Sequence, residues 1–170
     1  MEQKKQALAE EAYQKARQYE KDYGCCPQCV LVSVQETIGL VDDDTIKASH
    51  GLAGGGGLTG QGTCGALSGG LMALSAKRGR TRDHLDGNPL VSKLKGARFI
   101  SNFKKCEELA EKFRQEFGGI TCEQLQKEFT GRTFDLWDQK EYKAFKKARG
   151  EKCEHATGMV ARWLVESMGE

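Results

Sequence analysis

The sequence predicts an all-α fold, a single-domain compact bundle of about six or seven helices with a glycine-rich loop. In several segments apolar residues recur at steps of three and four positions, which is the spacing of one face of an α-helix. Glycine, proline or capping residues stand where these segments begin and end. Stretches in which polar and apolar residues alternate are absent, so we expect no strands. The length of 170 residues fits one domain, and residues 1–170 are interpreted as such.

Three helices are expected before the glycine-rich loop. Residues 2–22 carry an apolar stripe among lysine, glutamate and glutamine, and Gly24 ends this first helix. Pro27 suits the first turn of a second helix, because the N–H that it lacks would be unsatisfied there anyway, and Gly39 closes that helix. The aspartates at 42–44 offer a cap and a favourable charge for the start of a short third helix.

The loop itself occupies residues 51–70, which contain ten glycines. Glycine permits backbone conformations and close approaches that side chains would block, so another segment is expected to pass near this backbone. A fourth helix is predicted from about Cys64 to Ala76 and is stopped by Gly79. Residues 80–98 have turn residues and no sustained period, and we interpret them as a loop insertion.

Three further helices are expected in the second half of the chain. Phenylalanines and other apolar residues repeat at helical spacing over residues 99–117. Thr121 and Gln124 match a capping box, which predicts a sixth helix that starts at Cys122. A terminal helix is expected to begin near Glu151. The basic stretch over residues 140–152 is interpreted as a solvated helix face.

Charge and cysteine usage restrict the function classes. Lysine and arginine total 26 against 24 aspartates and glutamates, so no overall charge favours nucleic acid or an anionic membrane as partner. The start of the chain is charged, and no apolar run reaches the roughly 18 residues of a spanning helix, so neither a signal peptide nor membrane insertion is expected. We therefore expect a cytoplasmic protein. Seven cysteines are many for a reducing compartment and favour metal binding or redox chemistry.

Four of the cysteines share a predicted position in the secondary structure. Cys26, Cys64, Cys122 and Cys153 lie in separate segments, each at or near the start of a helix. The helix dipole favours an anion there, so these thiols are expected to have lowered pKa values and to converge near the glycine-rich loop. Thiolates are both the ligands of soft metals and the nucleophiles of disulfide exchange.

The other three cysteines receive different interpretations. Cys106 belongs to an apolar stripe and is assigned to the core, apart from any site. Cys29 completes a Cys-x-x-Cys pair with Cys26, which is typical of a redox dithiol. A thioredoxin-like fold is rejected, because a long polar helix rather than a strand precedes this pair. The role of Cys25 is left open. His155 is expected to face solvent.

Several of these segments resemble one known family. The segment Cys64-Gly65-Ala66-Leu67-Ser68-Gly69 resembles the CGAxxG signature of the redox-active family labelled C_GCAxxG_C_C. Residues 26–31 resemble its first cysteine segment, residues 117–122 its third, and Cys153 its fourth, so the resemblance spans about residues 8–167. It implies a helical fold, a redox role and, as in related domains, an iron–sulfur cluster bound through the cysteines. The additional Cys25 and Cys29, and residues 80–98, depart from the family pattern.

The leading hypothesis is electron transfer or redox sensing through an iron–sulfur cluster. Its ligands are Cys26, Cys64, Cys122 and Cys153, and the glycines around Cys64, Gly62 and Gly65, let backbone amides approach the cofactor. One rival is a thiol–disulfide oxidoreductase in which Cys26 and Cys29 are the catalytic pair, with Cys64 as an alternative resolving thiol. Another is a zinc-stabilised accessory module of a transporter or redox complex. The first two hypotheses imply a protein redox partner, and a homodimer stays open.

Overall fold

A computed structural model describes residues 2–82 and 89–168 of the chain, and for residues 89–98 it describes the backbone alone. Over this part of the chain the fold is all-α, as predicted, with eight α-helices rather than six or seven. They are α1 (Glu2–Asp22), α2 (Cys26–Ile38), α3 (Asp43–Ala48), α4 (Gly65–Arg78), α5 (Pro89–Phe117), α6 (Cys122–Thr130), α7 (Gln139–Arg149) and α8 (Lys152–Ser167). A short 3-10 helix, Ser49–Leu52, follows α3. None of the helices described is both long and apolar enough to cross a bilayer.

The core forms around α8, which packs against α1, α2 and α4. α1 and α8 approach closely because small residues stand between them, and a Cβ at Gly158 would lie only 2.6 Å from the ring of Tyr13. The buried apolar residues of these two helices are Ala9, Ala12, Tyr13, Ala16, Ala156, Val160, Ala161, Trp163, Leu164 and Val165. Phe113 of α5 is also fully buried and belongs to the same core. Burial of these residues holds the two ends of the chain together.

A second close approach joins α2 to α4. A Cβ at Gly69 would lie 2.7 Å from the carbonyl oxygen of Pro27, and a Cβ at Gly65 would lie 2.8 Å from the Cδ of the same proline. Real side chains do not tolerate such distances, so the two helices can cross at this separation only with glycine at both positions. The crossing brings the starts of α2 and α4 side by side.

The helix ends follow the local signals in the sequence. The capping box is confirmed, because the Thr121 hydroxyl accepts a hydrogen bond from the Gln124 amide while the Gln124 side chain accepts one from the Thr121 amide. Gly39 and Gly131 close α2 and α6 with φ values of 63° and 84°, a backbone conformation that side chains disfavour. Asp42 caps α3 by accepting a hydrogen bond from the Thr45 amide.

The prediction of a loop over residues 80–98 was wrong for its second half. Residues 89–98 form the first turns of α5, a helix of 29 residues. Pro89 suits the first turn of a helix, and the single glycine at position 96 weakens the helical pattern without ending it. The interval 83–88 lies outside the described residues. The basic stretch is helical as interpreted, in α7, although Phe145 and Arg149 of this helix are buried.

Replacing Gly69 by alanine is expected to lower the free energy of unfolding by about 1–3 kcal/mol, because the new methyl group would collide with the backbone of α2. Urea denaturation followed by circular dichroism measures this loss. Gly51→Ala is the matched control, since a Cβ there meets nothing within 4 Å. Equal stability of the two variants would contradict the close approach of α2 and α4.

Candidate functional site

Cysteines from widely separated parts of the chain meet at an internal cavity of about 80 Å³. This space is several times the roughly 15 Å³ that one water molecule needs. The cysteines that line it are Cys25, Cys26, Cys64, Cys122 and Cys153. The structure thus brings together the four cysteines that the sequence placed at helix starts, and it adds Cys25.

The crossing of α2 and α4 places Cys26 beside the start of α4. Cys26 is the first residue of α2, and Cys64 is the cap of α4. The sulfur of Cys26 lies 3.4 Å from the point that a Cβ on Gly65 would occupy. Gly65 therefore forms part of the cavity wall, and any side chain at this position would displace Cys26.

Cys122 is held beside Cys64 by a short piece of backbone pairing. Thr63 and Thr121 form an isolated antiparallel bridge. The amide of Cys64 donates to the carbonyl of Ile120 at 2.7 Å, and the amide of Cys122 donates to the carbonyl of Gly62 at 3.0 Å. Gly62 itself packs against the loop, since a Cβ there would lie 2.5 Å from the Gly55 carbonyl oxygen. Gly62 therefore allows two parts of the loop to pass close to each other, whereas Gly65 lines the cavity.

The fourth cysteine of the set comes from the first turn of α8 and stands near a buried group of charges. Cys153 lines the cavity together with Glu20 and Arg149. Arg149 is only 4% exposed and donates to a carboxylate oxygen of Glu154 at 2.7 Å. Its other terminal nitrogen lies 3.9 Å from Oε1 of Glu20. Among the described residues, Arg149 is the cation that lines the cavity, beside the thiols and the Glu20 carboxyl.

Burial controls the pKa values of these thiols. It raises the pKa of Cys64 to about 12, and the neighbouring Cys122 adds to the rise, while the backbone amides of Ala66 and Leu67 lower it. The pKa of Cys26 is raised well above its ordinary value, first by burial and then by the nearby Glu20. Burial likewise raises the pKa values of Cys122 and Cys153.

The expectation of lowered thiol pKa values was therefore wrong. The helix-start amides do act on Cys64 in the expected direction, but loss of water outweighs them. A cation bound among these sulfurs reverses the balance, because a coordinating thiol is deprotonated outright. The cavity of the metal-free protein thus favours thiols, and a bound metal would favour thiolates.

One acidic residue of the site was missed by the sequence reasoning. Glu20 of α1 is 5% exposed and lines the cavity. Burial raises its pKa to about 7, although Arg149 acts in the opposite direction. The signal was its position, since Glu20 continues the buried stripe of Ala12 and Ala16 at a four-residue step. The residue type alone did not distinguish Glu20 from the other glutamates of α1.

The remaining cysteines lie apart from the cavity lining. The Cys29 thiol donates to the carbonyl oxygen of Gly24 at 2.9 Å and is buried. Cys106 lies on α5, with its sulfur 4.0 Å from the hydroxyl of Ser75. All seven cysteines are free thiols.

Cys25, which lines the cavity, has a left-handed backbone with φ 65°, and its sulfur lies 3.8 Å from Nδ1 of His50.

The expectation that His155 faces solvent was wrong. Its ring is half-buried, and its Nδ1 lies 2.7 Å from the Tyr13 hydroxyl. The ring also meets that of Phe117 edge to face. His155 therefore belongs to the packing between α1 and α8, and it does not line the cavity.

The residues that line the cavity have the donor chemistry of a group bound by thiolates. Within residues 2–82 and 89–168, no three His, Cys, Asp or Glu side chains are grouped tightly enough to hold one metal ion. A tetrahedral zinc site needs four ligands around one point. An iron–sulfur cluster instead spreads its thiolate ligands over several irons. The cavity offers cysteines from four helix starts, which are the donor type that such a cluster uses.

These features define a small helical protein with a redox-type site, a buried cavity lined by cysteines from several helix starts. Residues 24–167 match the family model described as "Putative redox-active protein (C_GCAxxG_C_C)", which covers most of the chain. The chain therefore belongs to the C_GCAxxG_C_C family, and the family supports a redox role. No curated protein and no solved structure matches the chain significantly.

Replacing Arg149 by methionine is expected to destabilise the protein by about 3–5 kcal/mol, because Glu154 and Glu20 would lose their buried cation. Guanidinium denaturation of the metal-free protein measures the loss. Arg132→Met is the control, since Arg132 pairs with Glu141 at the surface, and it should cause a much smaller change. Similar losses in the two variants would contradict the role given to Arg149.

Proposed function

We propose that the protein transfers or senses electrons through an iron–sulfur cluster bound in the cysteine-lined cavity. The observation that carries this proposal is the convergence of Cys26, Cys64, Cys122 and Cys153 on one buried space. They stand at the starts of four different helices, and nothing in core packing requires four thiols to line one space. Four cysteine thiolates are the usual ligand set of such clusters.

The surroundings of the sulfurs support the same function. The backbone amides of Ala66 and Leu67 act on the Cys64 sulfur, and the side-chain amide of Gln126 donates to the Cys122 sulfur at 3.5 Å. Hydrogen bonds to cluster sulfurs and ligands are one of the means by which a protein sets the reduction potential. Apolar residues complete the wall: Leu58, Leu125, Phe129, Leu136 and Phe145.

Such a cluster supplies reversible uptake and release of single electrons, and the chain provides their route to the surface. Tyr142 lines the cavity and is 40% exposed, so the site lies close to solvent on the side of α7. The same helix exposes Lys140, Lys143, Lys146 and Lys147. An acidic redox protein that docks on these lysines would lie near the cavity, and we propose this class of partner.

The rival dithiol chemistry has less support. A thiol that attacks a disulfide must ionise readily and be accessible. Cys29 is 3% exposed, its thiol donates a hydrogen bond to the Gly24 carbonyl oxygen, and burial raises the pKa of this thiol. Cys26, the proposed nucleophile of that mechanism, also has a raised pKa. Both properties oppose rapid exchange between this pair.

Protein purified without oxygen is expected to be coloured and to contain both iron and acid-labile sulfide. Visible absorption, with analysis of iron, sulfide and zinc per chain, tests this directly. Zinc without iron would support the accessory module instead. A colourless, metal-free protein that cycles two thiols would support the oxidoreductase, and either result would overturn the cluster proposal.

Single cysteine variants separate the two redox mechanisms. Cys64→Ser should lose most of the bound iron, because serine removes one thiolate from the cavity. Cys29→Ser and Cys106→Ser should retain iron close to the wild-type content, since neither sulfur lines the cavity. Iron analysis and titration of reversible thiol oxidation are measured on all three variants. Full iron in Cys64→Ser, together with loss of reversible oxidation in Cys29→Ser, would favour the dithiol mechanism.

A further inference from the structure

We infer that Glu20 supplies a carboxylate oxygen as a further ligand to the metal group held by the cysteines, an inference that rests on the proposed function. Glu20 lies before residues 24–167, so the family match does not extend to it. The site would then combine soft thiolate donors with one hard oxygen donor.

The position of Glu20 is built by α1. The stripe that buries Ala12 and Ala16 against the bundle continues to Glu20, which is consequently the acidic residue of this helix that reaches the core. The Cys26 thiol donates to Oε1 of Glu20 at 3.8 Å. Glu20 therefore stands among the sulfurs on the cavity wall rather than behind them.

The second carboxylate oxygen is the decisive observation. Oε2 of Glu20 is buried and has no hydrogen-bond partner among the residues that the structure describes, a condition that is rare for a buried polar atom. Arg149 does not provide one, because its close partner is Glu154 at 2.7 Å and it approaches only Oε1 of Glu20, at 3.9 Å. A carboxylate with an unpaired oxygen, on a residue that lines a cavity of thiols, is in the setting of a metal ligand.

Iron chemistry is consistent with a mixed donor set. Iron is bound by thiolates in clusters and by carboxylates in other protein sites. An added anionic oxygen favours the more oxidised state of the metal, since net charge is one of the determinants of cluster potential. Loss of this carboxylate should therefore weaken metal binding and raise the reduction potential.

A purely structural role for Glu20 predicts a different result. If its main function were to pair with Arg149, its removal would destabilise the protein and leave a bound cluster unchanged. If it is a ligand, its replacement by the isosteric glutamine leaves the stability of the metal-free protein close to that of the wild type and harms the metal-bound form. The two roles thus predict changes in different states of the molecule.

The experiment compares Glu20→Gln with Glu154→Gln, both after reconstitution with iron and sulfide. Glu154→Gln is the matched control. It removes the carboxylate that lies closer to Arg149, and Glu154 does not line the cavity. Three quantities are measured: iron release to a chelator, the midpoint potential, and the melting temperature of the metal-free protein. Glu20→Asp, which keeps the charge but shortens the reach, is a second variant should Glu20→Gln fold poorly.

For Glu20→Gln we expect iron to be held at least about tenfold more weakly, with a more positive midpoint potential and an unchanged melting temperature without metal. For Glu154→Gln we expect a lower melting temperature and wild-type iron retention. Glu20→Asp should show weakened iron retention as well. Wild-type iron retention and potential in Glu20→Gln and Glu20→Asp would overturn the inference while leaving the cluster intact. A wild-type protein that takes up no cluster would overturn the proposed function and this inference together.

Discussion

The crossing of α2 over α4 is the contact on which the site depends. Glycine at 65 and 69 lets the backbone of α4 approach the first turn of α2 to a distance that a single methyl group would prevent. This approach puts Cys26 beside Cys64. The backbone bridge between Thr63 and Thr121 then adds Cys122, and the packing of α8 against α1 and α2 adds Cys153. Three unrelated kinds of contact therefore converge on one small volume.

The cavity is lined by more acidic groups than is usual for a protein interior. Five thiols and the Glu20 carboxyl face a space whose nearest cation is Arg149. In a poorly polarisable interior, proton retention by the thiols keeps their mutual repulsion small. A metal cofactor of the proposed kind would provide positive charge at the centre of the group and replace those protons. The same thiols would then become an anionic ligand shell.

The helices and their ends could be predicted from the sequence because their determinants are local. Thr121 and Gln124 specify a cap within four residues, and Gly39 and Gly131 end helices by the conformation of a single residue. The convergence of the motif cysteines could also be anticipated, because each occupies the same place in its helix. The burial of Glu20, the pKa values of the thiols and the orientation of Cys29 could not, since each depends on which segments pack nearby. Residues 89–98 were predicted to be a loop because their apolar residues follow the helical spacing only weakly, and this weak pattern was interpreted as no pattern.

The order of the site residues along the chain has a kinetic consequence. Its members extend from Glu20 and Cys26 to Cys153, so more than three quarters of the chain lies between the first and the last of them. Contacts over such separations form late in folding, because a long loop must close before they become favourable. The lining is complete only when the terminal helix α8 has docked. A cofactor that needs all of these side chains can therefore be retained only by a molecule that has finished folding, which makes cofactor retention a check on the native tertiary structure.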